Sequence, residues 1–503
     1  MMGEIYTLAK TTLSWLGEAA DQSDVAMALI QTLGDWTREH EGEIFDGEGE
    51  DMPDDGSVQT MTAAIEWLGF PLSAQNWPAV WRFLERPYWS RVWVIQELAV
   101  RGGIRKASGV FVCGEDEFER PQFDYFCVLI LFILLYGQSI RASSLEIEEP
   151  HRSMLINGHP PGLTMSQVVT ACTGGSNRNL DWLLRTSARF QATDPRDKLY
   201  ALLGLVEDGN IITPDYSKSY EEVVRMFVAS HIEKYSSLRV LLGNRYRAIP
   251  SSPSWVPDLL SQEFHGGSGL IPAIGNDRFQ ASGSRLAVAS LNVTLSSLFC
   301  RGVSIDIIDK AIGPLLMVEK QLDSAVQDLQ TAAQSVGQNT FFDALIDFYR
   351  TLAPGSGEAF WRTLCLDGDW SGIDTVFPAP AIFELQMRVA FGMDRIPADF
   401  MAGTPENTRY IEFVGPFTRS LMIALSNRTF FTLKDGRMGV GPYLAQPGDL
   451  VVVLFGAVFC LVLRPVGDNR YRLVGDAYVH GAMSGELVGG TNDQEDGQVF
   501  ELI

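Results

Sequence analysis

Along the first part of the chain, apolar residues recur at three- and four-residue spacings, the pattern of amphipathic helices. Met1–Leu16 is the first such stretch, with Ile5, Leu8 and Ala9 on one stripe, and it leads into SWLG. Asp24–Glu39 is the second, with Ser23 placed to cap it. Ser57–Leu68 follows and is ended by Gly69 and Pro71. Trp77–Leu84 (WPAVWRFL) has Pro78 in its first turn, and Pro87 separates it from a helix over Trp89–Ala99. The period then changes. Gly109–Cys113 (GVFVC) predicts a short strand closed by a turn at Gly114.

From Gln122 to about Leu352 the pattern is mainly helical. Helices are expected over Leu180–Phe190 and Lys198–Leu205, joined by the turn TDPRD, in which Asp194-Pro195 starts the turn and Asp197 caps the next helix. Ser219-x-x-Glu222 is a capping box that opens Tyr220–Lys234. Ser251–Pro257 (SSPSWVP) reads as a stiff loop. Gln280–Asp309 alternates apolar and polar residues around LAVASLNVTL, a β pattern. Glu319–Val336, Thr340–Leu352 and Ala381–Gly392 return to helix. The last part differs again: Arg428–Leu433, Leu450–Arg464 and Arg470–Val474 are strand-like and punctuated by glycines, which suggests a small barrel or curled sheet. No internal repeat is visible.

Composition adds limits. The 503 residues leave room for several domains, and 46% hydrophobic with 20% charged residues fits a globular protein with a sizeable core. The formal charge of −23 argues against nucleic-acid binding through bulk charge. Part of that excess is local: Glu39–Asp55 holds nine acids in seventeen residues and no Lys or Arg, a composition expected of a disordered acidic loop. The six cysteines are scattered without a C-x-x-C pair and the six histidines are dispersed, so reduced, buried thiols in an intracellular protein and no zinc site are expected. Met1–Lys10 has no signal-peptide pattern. The run Tyr125–Tyr136 (YFCVLILFILLY) is too short to span a bilayer, so a core helix is expected and no integral membrane span.

Several motifs carry a resemblance. IYTLAKTTLSWLG (Ile5–Gly17), RPYWSRVWVIQEL (Arg86–Leu98) and VFVCG (Val110–Gly114) resemble the fungal heterokaryon-incompatibility (HET) domain. TDPRDKLYALLGL (Thr193–Leu205), ITPDYSKSYEEV (Ile212–Val223) and SWVPDL (Ser254–Leu259) resemble segments that follow this domain. So do Gly436–Pro465 and Tyr471–Glu486 near the end. The family domain normally begins with ALSYxWG-like and LWIDxxCIxQ-like strands. Neither occurs here, so the chain is expected to start at the helix that follows the second, as a truncated or diverged member.

The resemblance implies an α/β fold: a TIR-like, incomplete flavodoxin-like N-terminal domain over residues 1–118. A mainly helical middle region with a short β segment (119–420) and a β-rich C-terminal region (421–503) are expected to follow. It implies a cytoplasmic role in non-self recognition and regulated cell death, with protein partners in incompatibility signalling and self-association. Two alternatives stand beside it. One is a TIR-like NAD glycohydrolase with NAD as substrate and no resident cofactor; the other is an accessory protein or enzyme of a fungal secondary-metabolite cluster.

The candidate chemistry centres on Arg86–Gly102. Trp93 and Glu97 form a W-x-x-x-E, a spacing that puts both on one helix face. By the TIR resemblance, Glu97 would be the catalytic carboxylate that binds ribose hydroxyls or stabilises an oxocarbenium ion. Trp93 and Arg91 would then contact ligand. The leading reading of Glu97 is structural, paired with Arg91 or Arg101 and packed under Trp93. Arg91 more commonly forms an ion pair, and Trp89 and Trp93 belong to the core. Asp194, Arg196 and Asp197 suit a turn, a cap and a local ion pair. His480, near Asp476 in GDAYVHG, suits a structural hydrogen bond. There is no G-x-S-x-G elbow and no P-loop, and the glycines of Gly436–Gly441 suit turns.

Overall fold

The computed structural model describes residues 5–6, 8–41, 76–99, 109–136, 160–173, 180–206, 211–243, 252–260, 278–292, 296–315, 340–370, 376–397, 400, 406–488 and 497–503. The expected helices Ser57–Leu68 and Glu319–Val336, most of the acidic loop, and Arg101 lie outside them. The chain forms two compact units, Met1–Asn210 and Ile211–Ile503. The architecture is mixed α/β with a β-rich C-terminal sheet.

The N-terminal unit contains strand β1 (Leu13–Trp15), helices α1 (Ser23–Glu39), α2 (Trp77–Leu84) and α3 (Trp93–Ala99), strands β2 (Val110–Cys113) and β3 (Asp116–Glu119), and helices α4 (Arg120–Tyr136), α5 (Pro161–Thr173), α6 (Leu180–Thr186) and α7 (Asp197–Leu203). The sheet has the order β1-β2-β3. β1 runs parallel to β2, with Ser14 beside Phe111, and β2–β3 is a hairpin. Gly114 closes that hairpin as expected, at φ 63°.

Three expectations are corrected here. Met1–Leu16 is not one helix. The Ala9 N–H donates to the Ile5 carbonyl, as in a helical turn, but Leu13–Trp15 is a strand. Local apolar spacing yields because β2 needs ladder partners, and the β-branched Thr11 and Thr12 lead easily into extended backbone. Ser23 does not cap α1. Gln22, at φ 61°, precedes the helix without a capping bond, and the Ser23 hydroxyl accepts from the Ala20 N–H. Trp89–Ala99 also breaks in two, into a 3-10 turn at Pro87–Ser90 and then α3.

The core of this unit is aromatic. Trp89 is fully buried, stacks on Phe123 at 4.6 Å, and donates its indole N–H to the Phe83 carbonyl at 2.9 Å. Phe111 and Phe118 complete the cluster. Helices α1 and α4 approach closely at Gly34, where an added Cβ would lie 2.0 Å from the Gln122 carbonyl oxygen, so only glycine fits. The run Tyr125–Tyr136 is helical as expected, within α4. Among the described residues no helix is long and apolar enough to cross a membrane.

The C-terminal unit contains α8 (Tyr220–Tyr235), β4 (Ala289–Leu291), β5 (Leu298–Ile312), α9 (Thr340–Arg350), α10 (Gly357–Leu364), α11 (Ile382–Ala390), α12 (Glu406–Leu425), β6 (Arg428–Leu433), β7 (Met438–Pro442), β8 (Leu450–Leu454), β9 (Cys460–Gly467), β10 (Arg470–Val479) and β11 (Gln498–Leu502). Pairings β5–β8–β9–β10–β7–β6 return to β5, which closes a barrel. β5 is the fifteen-residue spine: its first part pairs with β11, its middle with β8 and its end with β6. The β segment expected inside the middle region is therefore a barrel strand. Of the glycines in GRMGVG, Gly436 sits in a turn at φ 90°, but Gly439 and Gly441 lie within β7. There the Phe431 ring occupies the space of a side chain, 2.4 Å from an added Cβ at Gly439.

Candidate functional site

Glu97 lies on α3, where Val94, Ile95, Gln96 and Leu98 are buried and anchor the helix, while Trp93 and Glu97 remain half-buried. Among the described residues the Glu97 carboxylate has phenols for hydrogen-bond partners, and the expected partner Arg101 lies outside those residues. Tyr88 donates to Oε2 at 3.2 Å, and Tyr6 also hydrogen-bonds to the carboxylate. The Tyr88 hydroxyl lies 2.8 Å from the buried Ser14 Oγ on β1. Glu97 thus ties α3 to the 3-10 turn, to β1 and to the N-terminal turn. Burial first, then the Glu97 charge, pushes the Tyr88 phenol far up, and the same causes raise Tyr6 to about 12. Arg91, an exposed residue, acts on Tyr6 in the opposite sense.

Trp93 shares the helix face but its N–H points elsewhere: Nε1 donates to Asp197 Oδ2 at 3.0 Å. This corrects the expected cap, because Arg196 occupies the cap position before α7 and Asp197 begins the helix. The expected local ion pair is present, with Arg196 Nη2 2.6 Å from Asp194 Oδ2. Arg91 is held by its backbone: its neighbour Val92 donates to the Gln191 carbonyl at 2.9 Å, and Gln191 donates back to Ser90.

Three residues not singled out from the sequence prove central. Arg86 donates through Nη1 to the Leu16 and Glu18 carbonyls, at 2.9 and 3.0 Å, and through Nη2 to Ala20 at 3.2 Å, fixing the loop after β1. Lys198 is buried and donates to the Ala188 carbonyl at 2.7 Å and to the Phe190 carbonyl, holding the chain that leaves α6. Burial pushes its ammonium down to about 8. Arg120 is buried against Asp124 at 3.2 Å and also donates to the Leu98 carbonyl at the end of α3. Arg86 and Lys198 stood in the quoted motifs, but their role depends on carbonyls distant in sequence.

Chemically, this arrangement offers a half-buried carboxylate oriented by two hydroxyls, an exposed cation nearby, and a rigid aromatic floor. Carboxylates accept several hydrogen bonds, so a diol or another donor pair can be added at Glu97. Among the described residues no cluster of His, Cys, Asp and Glu is suited to a metal ion. In the other unit, His480 makes the expected structural bond, with Nδ1 3.3 Å from the Tyr478 hydroxyl. Asp476 is not its partner. It receives the buried Arg428 guanidinium at 2.6 Å.

Residues 1–97 match the heterokaryon incompatibility protein (HET) family, and residues 413–500 match the Het-6 beta-barrel domain. The second match begins within α12 and covers β6 to β10 and most of β11, but not the spine strand β5. The chain is 24% identical over 573 aligned residues to heterokaryon incompatibility protein 6, OR allele, of Neurospora crassa, covering 99% of this chain and 79% of that protein. No solved structure matches it. With a HET match over its first residues, a Het-6 barrel match near its end, and a relative aligned along nearly its whole length, the chain is a HET-domain protein.

Proposed function

We propose that this protein acts in fungal heterokaryon incompatibility and that its output is regulated cell death after fusion of unlike cells. One observation carries the reading: the HET match over residues 1–97 and the Het-6 beta-barrel match over residues 413–500 lie on one chain that is similar over 99% of its length to the Neurospora protein. The N-terminal unit, on a TIR-like frame, is the effector, and the barrel unit regulates it or contacts protein partners in the cytoplasm. The test is forced expression in a fungal host beside a Glu97→Ala version. Growth arrest by the unmutated protein supports the reading, and normal growth removes the death-effector role.

A second reading is favoured by the setting of Glu97. A half-buried carboxylate ringed by phenols suits the binding of a ribose diol, and so NAD glycohydrolase activity. Trp93 and Arg91 then border the ligand. Purified protein incubated with NAD decides it. Nicotinamide release that is lost in Glu97→Ala supports this chemistry; absence of release, or release indifferent to the change, rejects it.

A further inference from the structure

Two phenols hydrogen-bond to the Glu97 carboxylate, and they are held in different ways. Tyr88 is built into the core. Its ring lies 5.2 Å from Trp89 and 6.4 Å from Phe111, edge-on to both, and its hydroxyl is shared with the buried Ser14. Tyr6 is half-buried and belongs to the N-terminal turn, where Ile5 and Leu8 are 55% and 83% exposed. The backbone bond that fixes this turn, from the Ala9 N–H to the Ile5 carbonyl, lies inside it. Its leucine and isoleucine thus bury little apolar surface, and the Tyr6 hydroxyl ties the turn to α3. A segment with few buried contacts opens at low cost in free energy.

Arg91 completes the setting. It is exposed, and its charge acts on Tyr6 against that of Glu97, so one phenol feels a cation and a carboxylate together. We propose that Tyr6 is a displaceable cover over Glu97: a ligand with a vicinal diol and an anionic group takes its place, the diol donating to the carboxylate and the anion meeting Arg91. This rests on reading Glu97 as a ligand-binding carboxylate. Tyr88 keeps its hydrogen bond throughout, because Ser14 and the aromatic rings hold it. Glu97 has hydroxyl donors before and after the exchange, so opening the cover to a diol strands no half-buried charge. A cationic ligand would pair with Glu97 but be repelled by Arg91, which gives the exchange its selectivity.

Carbodiimide with a small amine converts water-accessible carboxylates to amides, and mass spectrometry of the full chain follows the rate at Glu97. Tyr6→Phe deletes only the hydroxyl, and Tyr6→Ala deletes the cover. Both are expected to speed the labelling of Glu97 about tenfold, the scale of one hydrogen bond to a charged group. Asp124, buried on α4, is expected to stay unlabelled in all three proteins, which a misfolded variant cannot achieve. NAD is the probe that carries both diol and anion. It is expected to suppress Glu97 labelling in the unmutated protein, and to do so in Tyr6→Phe at about tenfold lower concentration, because the open state is already populated there. Labelling that is equal in the three proteins overturns the cover, whether or not NAD suppresses it. Faster labelling in the variants that NAD leaves unchanged overturns the exchange, and the NAD reading fails with it. Suppression at one NAD concentration in all three proteins keeps that reading and overturns the displacement of Tyr6.

Discussion

The two units solve the problem of holding a sheet in opposite ways. In the N-terminal unit the strands have only three or four residues, and polar side chains reach far along the sequence to fix them. Arg86 grips three carbonyls of the loop after β1, Tyr88 joins Ser14 to Glu97, and Trp93 binds Asp197. In the C-terminal unit the backbone does this work, through strands that pair around a closed ring. Short strands pair too weakly to be independently stable, so they depend on side-chain ties. A closed barrel has no free edge to protect. Among the described residues, β1 of the N-terminal sheet is paired on one side only.

The sharpest way to break this contrast is at its exception, the buried ion pair that reaches from β6 to β10. Arg428 Nη2 meets Asp476 Oδ1 at 2.6 Å and its Nη1 meets the Asp476 carbonyl at 2.9 Å, with both residues almost wholly buried. Asp476→Ala strands a guanidinium in the core and is expected to cost about 3–5 kcal/mol of stability. Urea unfolding of the full chain measures it. Replacing both partners with apolar residues of similar volume is expected to cost far less. An equal loss in both variants would mean that the pair does more than satisfy its own charges.

In the N-terminal unit the matching test is Arg86→Lys. Lysine keeps the charge but not the planar fork that reaches Leu16, Glu18 and Ala20 together. The expected loss is about 1–3 kcal/mol, as carbonyls on the loop lose charged donors. Hydrogen exchange in the Gly17–Gln22 loop is expected to quicken more than in α2. Unchanged exchange would show that the loop holds without this clamp.

A smaller effect, with a definite sign, comes from Lys198. Its ammonium titrates at about 8 in the folded protein, because burial disfavours the charge, against an ordinary lysine value of 10.5. Between those values the unfolded chain binds the proton and the folded one does not, so stability rises with pH across that window and is flat below it. Lys198→Met removes the rise. The stability of the wild-type protein minus that of the variant is therefore expected to grow from pH 8 to pH 10. A difference that stays constant would mean that the two carbonyl partners offset the cost of burial.

These tests also mark how far the sequence was readable. Elements specified by nearby residues were legible: α2 with its early proline, the turn at Gly114, and β6 over Arg428–Leu433. What failed was non-local. β1 is a strand because β2 lies beside it, and Asp197 serves Trp93 across the fold instead of its own helix. α12 was hidden by Gly415 and Pro416 inside it. Of the candidate site, the sequence singled out the stretch with Trp93 and Glu97, but not the phenols Tyr6 and Tyr88 that the fold sets against Glu97, since no spacing links them to it.

The smallest predicted effect falls where local reading succeeded in full. Ser219 and Glu222 form the capping box that opens α8: the Ser219 hydroxyl accepts from the Glu222 N–H at 3.3 Å, and Glu222 Oε2 accepts from the Ser219 N–H at 2.9 Å. The next residue, Tyr220, uses its hydroxyl to accept the Leu259 N–H at 2.8 Å, so the cap also sets where the helix meets the SWVPDL segment. Ser219→Ala is expected to cost about 1 kcal/mol, and Ser219→Asp to recover most of it, because Asp caps as well and favours the positive helix end. The loss belongs to the C-terminal unit alone. If it appeared equally in hydrogen exchange of α3 or β2, the two units would share one unfolding step, and the contrast between a side-chain-tied unit and a ladder-tied one would no longer describe two separate stabilities.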